Sequence, residues 1–258
     1  MLIVLSPAKS LDFTPAAPDT PLSTPQLKDH IAELAKVTSK LKRSDLKRLM
    51  TISDNLADLN FKRFQAFDPA CDDGVQAAIA FNGDVYDGLD ARSLDKAALA
   101  FAQERVRILS GLYGVLRPLD AIQPYRLEMG IRLKTRRGKS LYDFWRKAVA
   151  PTLNQVLEGL PEPTLVNLAS QEYFGAVDVA ALAAPVVTCH FKEVRPGEAP
   201  RMLSFYAKKA RGMMARYAIE HRVDRAEGLK GFDVAGYAYQ PGQSTETDWI
   251  FCRKHPLS

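Results

Sequence analysis

The chain contains 258 residues, of which 47% are hydrophobic and 25% charged, and its formal net charge is +5. These proportions are typical of a globular protein that buries a full hydrophobic core, and they exclude a low-complexity or fibrous chain. The three cysteines are widely spaced, which excludes a disulfide framework and favours a reducing compartment. No stretch approaches 18 consecutive apolar residues, so we expect a cytoplasmic protein without membrane contact.

The predicted elements begin with a short, uninterrupted apolar strand at residues 2–5. Residues 15–25 contain four prolines and predict a surface loop. Apolar residues then recur at helical intervals across residues 26–67. Within this stretch Ser44 and Ser53 are predicted N-caps, because each is followed by an aspartate that suits the first turn of a helix.

Two further helices and several strands complete the predicted fold. Residues 95–109 and 206–222 show the amphipathic pattern of helices. Five runs rich in β-branched and aromatic residues predict strands: 164–168, 185–191, 201–206, 231–239 and 249–252. Because no linker or change of composition divides the chain, we predict one mixed α/β (α+β) domain over residues 1–258, a mixed sheet wrapped by helices.

A glycine-rich hairpin is the most informative motif. Gly111 and Gly114 follow the predicted helix 95–109, and Arg117 and Arg126 come shortly after. In a helix–hairpin–helix, the backbone N–H groups of such a turn hold a phosphate. The alternative is a glycine C-cap followed by a tight turn. The segment alone favours the cap, because its glycines are three rather than two residues apart.

Positive charge clusters in two places. Residues 126–147 contain eight basic and two acidic residues, so this segment alone carries a net charge of +6. In the predicted helix 206–222, Lys208, Lys209 and Arg211 lie on the side opposite the apolar stripe. A basic segment is usually a solvated face. Here the first cluster continues the glycine hairpin, and a shared anionic ligand becomes the favoured interpretation.

Polar residues also follow two predicted strands. Ser6 and Lys9 come directly after the strand 2–5, where a hydroxyl and an ammonium group suit an anion. The segment is not a P-loop, because its glycines and Gly-Lys-Ser/Thr ending are absent. Ser170 follows the strand 164–168, and we interpret it as a helix cap rather than a catalytic hydroxyl.

Six blocks together resemble one family. They are Ser-Pro-Ala-Lys-Ser-Leu-Asp (6–12), Phe-Asn-Gly-Asp-Val-Tyr (81–86), Leu-Ser-Gly-Leu-Tyr-Gly-Val-Leu-Arg-Pro-Leu-Asp (109–120), Gln-Pro-Tyr-Arg-Leu-Glu-Met-Gly (123–130), Asn-Leu-Ala-Ser-Gln-Glu-Tyr (167–173) and Ser-Phe-Tyr-Ala-Lys-Lys-Ala-Arg-Gly (204–212). In this order and at these spacings they resemble the YaaA family of peroxide-stress proteins, from residue 1 to about residue 253.

The resemblance implies a bacterial cytosolic protein of the oxidative stress response that limits damage from unincorporated iron. It implies a single-domain α/β fold with a positively charged cleft, a helix–hairpin–helix-like element and binding of double-stranded DNA without sequence specificity. That element falls on residues 101–123 or on residues 44–67. The residues of this chain inside matching blocks, and so the expected DNA contacts, are Ser6, Lys9, Arg117, Arg126, Lys208, Lys209 and Arg211.

We predict neither a cofactor nor a metal site. Cys189 and His190 are adjacent on a predicted strand and therefore point to opposite faces. The other histidines lack ligand spacing.

Two alternatives to DNA binding stay open. One is an enzyme acting on a small anionic substrate in the same cleft. Lys9 or Lys208 would be its base or nucleophile, and Glu128 or Glu172 the acid–base partner. Arg117 and Arg126 would clamp the substrate. The other is a set of internal ion pairs that only stabilise the fold.

Overall fold

The computed structural model describes residues 1–14, 20–71 and 73–256, so residues 15–19 of the predicted proline-rich loop lie outside the described residues. The strands are β1 Leu2–Leu5, β2 Ser10–Leu11, β3 Val75–Gln76, β4 Phe81–Asn82, β5 Val106–Ser110, β6 Gly114–Leu116, β7 Ala121–Ile122, β8 Leu165–Leu168, β9 Val186–Val194, β10 Ala238–Tyr239 and β11 Asp248–Lys254. Seven of them form one sheet in the order β10-β11-β9-β8-β1-β5-β6. Strands β2 with β4 and β3 with β7 form two small antiparallel pairs.

The sheet is parallel in its middle. Strands β11, β9, β8, β1 and β5 are parallel neighbours, whereas the edge strands β10 and β6 pair antiparallel. In β1, Ile3 aligns with Val106 of β5 and with Val166 of β8. All four residues of β1 are buried, as expected for a parallel strand covered on both faces. The carboxyl ends of these strands therefore meet at one edge of the sheet, where the candidate site lies.

The helices are α1 Lys28–Thr38, α2 Arg43–Met50, α3 Asp54–Ala66, α4 Ala77–Ala80, α5 Asp84–Leu89, α6 Lys96–Arg105, α7 Leu141–Trp145, α8 Val149–Leu157, α9 Gln171–Phe174 and α10 Ser204–Glu220. The longest, α10, packs closely on α5 through glycines. A Cβ added at Gly212 would lie 1.8 Å from the carbonyl oxygen of Val85, and one at Gly88 would lie 2.1 Å from that of Lys209. Glycine is required there because no side chain fits between the two backbones.

Most predicted elements are confirmed. The mixed α/β fold has the predicted strands at 2–5, 165–168, 186–194 and 248–254, built on one continuous hydrophobic core. Ser53 caps α3 by accepting a hydrogen bond from the N–H of Leu56, as predicted. Ser44, however, lies inside α2 rather than at its N-cap. Within the described residues, no helix has the length and apolar character needed to cross a membrane.

Two predicted strands are wrong. Residues 201–206 contain the start of α10 at Ser204, and Arg201 makes only an isolated bridge to Glu193. Residues 231–239 fold mainly into short 3₁₀ turns, with Ala238–Tyr239 as the only strand. Tyr206, Phe232 and Tyr237 of these segments pack against other aromatic rings instead, because tertiary packing outweighs the weak intrinsic preference for a strand.

The prediction of a helix–hairpin–helix at residues 101–123 is wrong. Helix α6 ends at Arg105, and β5 and β6 form a β-hairpin in which Gly111 lies in the turn and Gly114 begins β6. Gly114 has φ +73°, which a glycine adopts readily, and a Cβ there would lie 2.6 Å from the ring of Trp145. The carbonyl of Gly111 accepts a hydrogen bond from Nε1 of Trp145 at 2.9 Å. Both glycines are buried against protein, so neither forms a phosphate-binding turn. Strand β5 is buried on both faces. Its sequence therefore does not alternate like that of a half-buried strand, and it fitted the end of the predicted helix 95–109.

The other candidate segment, residues 44–67, does contain two packed helices, α2 and α3, joined by residues 51–53. Thr51 in this connection adopts a left-handed conformation with φ +51°. Four basic side chains of the pair are already bound to its own carboxylates: Arg43 and Lys62 to Asp58, Lys47 to Asp54, and Arg48 to Asp45. These contacts are those of a self-contained helical pair, and a DNA-binding role for it stays a prediction.

Candidate anion-binding cleft

The candidate site is built where β1 and β8 end side by side. Ser6 follows β1, and its Oγ accepts a hydrogen bond from the backbone N–H of Ser170 at 2.8 Å. The two hydroxyl oxygens are 3.3 Å apart. Ser170 also caps α9 by accepting from the N–H of Tyr173, which confirms its predicted role as a helix cap. Two hydroxyl groups are thereby fixed at the carboxyl edge of the sheet.

These hydroxyls line a cleft of about 460 Å³. Helix α10 forms another wall, and it places Lys208 and Arg211 in the lining together with Lys9 from the segment after β1. The cleft also has acidic groups, Asp84 at the start of α5 and Glu172 in α9. The structure therefore brings together four of the residues singled out in the sequence: Ser6, Lys9, Lys208 and Arg211.

Arg211 is the most unusual of the lining residues. Its side chain is only partly exposed, and its enclosed Nε has no hydrogen-bond partner within the described part of the chain. Burial lowers the pKa of the Arg211 guanidinium, and the nearest opposing influence is the thiol of Cys189 rather than a carboxylate. Because burial raises the pKa of that thiol in turn, Cys189 stays uncharged. An enclosed cation without an anionic partner is costly, and a bound anion would relieve that cost.

Lys9 and Lys208 make only loose ion pairs. Nζ of Lys9 is 3.5 Å from Oε1 of Glu128, and its side chain is 65% exposed. Nζ of Lys208 is 3.5 Å from Oδ2 of Asp84, and its side chain is 52% exposed. Exposed pairs of this length contribute little to stability. Both ammonium groups can therefore exchange a carboxylate for an incoming anion.

Arg126 is not part of the cleft lining and is engaged by Glu128. Its Nε and Nη2 donate to Oε1 of Glu128 at 3.1 and 2.8 Å, and Lys9 approaches the same oxygen. The other oxygen of Glu128, Oε2, is enclosed without a hydrogen-bond partner among the described residues. Nearby, Oε1 of Glu172 accepts a hydrogen bond from the N–H of Gly130 at 3.0 Å. The Arg126–Glu128 pair thus anchors the segment after residue 123 beside the cleft.

Two predicted anion contacts lie elsewhere. Arg117 is bound to the buried carboxylate of Asp120 and to the carbonyl of Thr24, so it braces a loop and does not line the cleft. Lys209 is exposed on α10 beside Lys208 but is not part of the lining. The sequence-based expectation that Arg117 and Arg126 clamp a substrate is contradicted for Arg117 by this placement.

The basic segment 126–147 remains largely available. Arg137 forms an ion pair with Glu33 and lies over the ring of Phe144, and Arg146 approaches Asp178. Its other basic residues after Arg126 are exposed: Arg132, Lys134, Arg136, Lys139 and Lys147. Tyr142 of α7 connects this segment to the cleft wall, since its hydroxyl donates to the carbonyl of Glu172 at 2.8 Å.

The sequence comparisons agree with the resemblance drawn from the motifs. The sequence profile of the family described as peroxide stress protein YaaA matches residues 1–243. The chain belongs to this family. A UPF0246 protein of Caulobacter vibrioides is 66% identical over 256 residues, covering 99% of this chain and 100% of the relative. UPF0246 proteins of Phenylobacterium zucineum and Roseobacter denitrificans are 61% and 51% identical, covering 99% and 100% of this chain and 96% and 100% of the relatives.

Sequence reasoning missed two features of this YaaA-family protein. In the sequence Asp84 stood out only as a member of the block 81–86, although its carboxylate lies 3.5 Å from Nζ of Lys208 in the cleft. Phe205 was assigned to a strand, although it is an exposed aromatic residue in the first turn of α10. Phe205 precedes Lys208 by one helical turn, and this spacing could have shown that the two side chains share a face of the helix.

No metal centre emerges within the described residues, where no three His, Cys, Asp or Glu side chains group as ligands. Cys189 is buried while His190 is partly exposed on the other face of β9, as their adjacency predicts. Nε2 of His190 pairs with Asp248 at 2.8 Å instead.

Proposed function

We propose that this peroxide stress protein binds DNA through its backbone phosphates, without reading bases, at the cleft formed by Ser6, Lys9, Lys208 and Arg211. The observation that carries the proposal is Arg211, whose enclosed Nε has no hydrogen-bond partner among the residues that the structure describes, and which lines a cleft together with two loosely paired lysines. Buried cations normally have an anionic partner, and here a ligand would supply it.

A phosphodiester fits this set of groups. Arginine binds phosphate oxygens through paired N–H donors, lysine adds a mobile positive charge, and hydroxyl groups supply further hydrogen bonds. The same contacts carry no information about the base. The net charge of +5 and the exposed basic residues of segment 126–147 favour an extended polyanion over a single small anion.

Such binding offers a physical route to the limitation of iron damage. DNA carries a layer of condensed cations, and each phosphate neutralised by the protein releases some of them. Ferrous iron held in that layer would be displaced from the bound segment. Peroxide would then react with iron further from the sugar and base, and the protein would need no iron site of its own.

The salt dependence of duplex binding tests the proposal. The logarithm of the association constant for a short duplex should fall linearly with the logarithm of salt concentration, by about 0.9 per phosphate contacted. Fluorescence anisotropy measures this slope. The variant Lys208→Ala/Lys209→Ala should weaken binding to all sequences alike and reduce the slope by about 2. The matched control is Lys36→Ala/Lys40→Ala, which removes the same charge from exposed positions outside the cleft.

Arg211→Gln separates ligand binding from a structural role. If Arg211 awaits an anion, this variant should bind DNA less tightly while its free energy of unfolding stays equal or rises, because an unpaired buried charge has been removed. Urea denaturation and anisotropy on the same preparations measure both quantities. Unchanged DNA affinity in Arg211→Gln and in the double lysine variant would refute the proposal.

One observation also favours an enzyme acting on a small anionic substrate as a second candidate. Among the described residues Oε2 of Glu128 is enclosed without a partner. The other carboxylate oxygen, Oε1, is 3.5 Å from Nζ of Lys9, so a proton donor lies beside an acceptor. The cleft volume also lies within the range typical of small-ligand sites. Phosphorus NMR of the protein mixed with simple phosphomonoesters tests this candidate. Turnover that Glu128→Gln abolishes would support it, and absence of turnover would exclude it for this substrate class.

A further inference from the structure

An exposed aromatic side chain lies next to the cationic cleft. Phe205 lies in the first turn of α10 and is 56% exposed. This is the largest exposed fraction among the exposed large hydrophobic residues in the described part of the chain. Met202, just before the helix, is exposed as well. With a rise of about 1.5 Å per residue, Phe205 lies about 4.5 Å along the helix axis from Lys208 and about 6 Å from Lys209, on the same side. The helix thus presents a ring and two ammonium groups together.

The ring of Phe205 is supported from behind. It contacts Tyr206 edge to face at 5.3 Å between ring centroids. Tyr206 in turn lies under the guanidinium of Arg253 at 5.0 Å and against the ring of His255 at 5.5 Å. The Phe205 ring is therefore supported by Tyr206 on one side, while more than half of its surface stays exposed.

The support continues into the sheet. Nε of Arg253 in β11 donates to both carboxylate oxygens of buried Glu193 in β9, at 3.0 and 2.9 Å. The hydroxyl of Tyr237 donates to the same carboxylate, and Arg253 also lies over the Tyr237 ring at 4.6 Å. Such a satisfied network is rigid, and through Tyr206 it supports one side of the exposed Phe205 ring.

We infer that Phe205 stacks on an unpaired base of a DNA strand whose phosphates bind Lys208, Lys209 and Arg211. The inference rests on the proposed function and deepens it by naming the form of DNA. Proteins that bind single-stranded nucleic acid combine a cationic groove with aromatic side chains, and stacking accepts any base because every base has a π-face. The cleft volume of about 460 Å³ lies in the range of small-ligand sites, which suits a single nucleotide that leaves the stack of its strand.

An apolar protein partner fits this surface less well. Phe205 and Met202 form a small apolar area directly beside Lys208 and Lys209, whereas protein-binding patches are contiguous apolar areas of several hundred Å². Charge next to a single ring matches the alternation of phosphate and base along a nucleic acid strand. The observations therefore favour a nucleotide as the occupant.

The test compares two probes with the same strand length. One is a fully paired duplex, and the other contains a central bubble of unpaired residues with a fluorescent 2-aminopurine base in it. The wild-type protein should quench the 2-aminopurine and bind the bubble more tightly than the duplex. Phe205→Ala should abolish the quenching and reduce the preference for the bubble by about tenfold, the effect of losing one stacked base. Phe205→Trp should retain both.

The matched control is Val179→Ala, which truncates a hydrophobic side chain of similar exposure, 52%, outside the lining of the cleft. It should quench and discriminate like the wild type. Equal quenching and equal preference in Phe205→Ala and the wild type would overturn the inference while leaving phosphate binding intact. If the wild type binds neither probe in a salt-dependent manner, the proposed function itself fails. Circular dichroism of Phe205→Ala verifies folding, which an exposed truncation should preserve.

Discussion

Arg117 donates two side-chain hydrogen bonds to one carboxylate oxygen of Asp120, from Nε at 3.0 Å and from Nη2 at 2.8 Å. The carboxylate is fully buried, and its other oxygen accepts from the backbone N–H of Arg117 at 2.8 Å. Ser23 adds a further hydrogen bond at 2.7 Å. This ion pair closes the loop between β6 and β7 and ties it to the segment before α1.

Arg117→Ala should therefore lower stability and leave DNA affinity nearly unchanged. Removing one partner of a buried pair leaves an uncompensated charge, and the free energy of unfolding should fall by about 3–5 kcal/mol. Urea denaturation measures this loss. Arg48→Ala is the control, since its ion pair with Asp45 is exposed and should contribute less than about 1 kcal/mol. A selective loss of DNA binding at full stability would show instead that Arg117 contacts the ligand.

Gly212→Ala should destabilise the protein and disturb the cleft together. The new Cβ would lie 1.8 Å from the carbonyl oxygen of Val85, so α10 must move away from α5. Overpacking of this kind costs about 1–3 kcal/mol, and the shift should move Lys208 and Arg211 of α10 away from the other walls of the cleft and so weaken DNA binding. Denaturation and anisotropy check both effects. Gly242→Ala, whose Cβ would meet nothing within 4 Å, should behave like the wild type. Equal stability of the two variants would contradict the close helix contact.

Alkaline pH should unfold the protein through its buried tyrosines. Burial raises the pKa of Tyr86, Tyr113, Tyr125 and Tyr173 in the folded state. In the unfolded chain these hydroxyls ionise near pH 10, so above that pH the folded state holds protons that the unfolded state has lost. The free energy of unfolding is unaffected by these groups below about pH 10 and falls above it, by up to about 1.4 kcal/mol per pH unit for each tyrosine.

Denaturation at a series of pH values measures this decline. Tyr86→Phe should make it shallower by the share of one tyrosine, although it also removes the hydrogen bond from the Tyr86 hydroxyl to the carbonyl of Ser6. A free energy of unfolding that stays constant above pH 10 would show that these hydroxyls ionise freely in the folded state.

Asp84→Asn should tighten DNA binding. The variant removes a negative charge from the cleft lining and frees Lys208, so affinity at low salt should rise by about threefold to tenfold and the gain should shrink as salt screens it. Asp54→Asn is the matched control, because it removes an exposed carboxylate that pairs with Lys47 between α2 and α3. If Asp54→Asn tightens binding and Asp84→Asn does not, the α2–α3 pair is the DNA-binding element and the cleft is not.

Several features of the site could be predicted from the sequence. Ser6 and Lys9 were assigned to the segment after the first strand, and Ser170 was assigned to a helix cap after the strand 164–168. Both assignments were possible because strand ends and caps depend on a few neighbouring residues. Lys208 and Arg211 were assigned to one helix by the helical period, which the structure confirms. The helical interpretation of the glycine hairpin was wrong because a strand buried on both faces lacks the alternation that identifies strands.

The sequence by itself determined the parallel strands of the sheet other than β5, the helical character of α10, the caps at Ser53 and Ser170, the charge of each stretch and membership of the YaaA family. Only the tertiary structure decided which of these charges meet: Arg211 lines the cleft with its Nε unpartnered among the described residues, whereas Arg117 is bound to Asp120. Patterns along a chain depend on residues a few positions apart. The partner of a charged side chain depends on segments brought together by folding, as when Lys208 meets Asp84 and Lys9 meets Glu128.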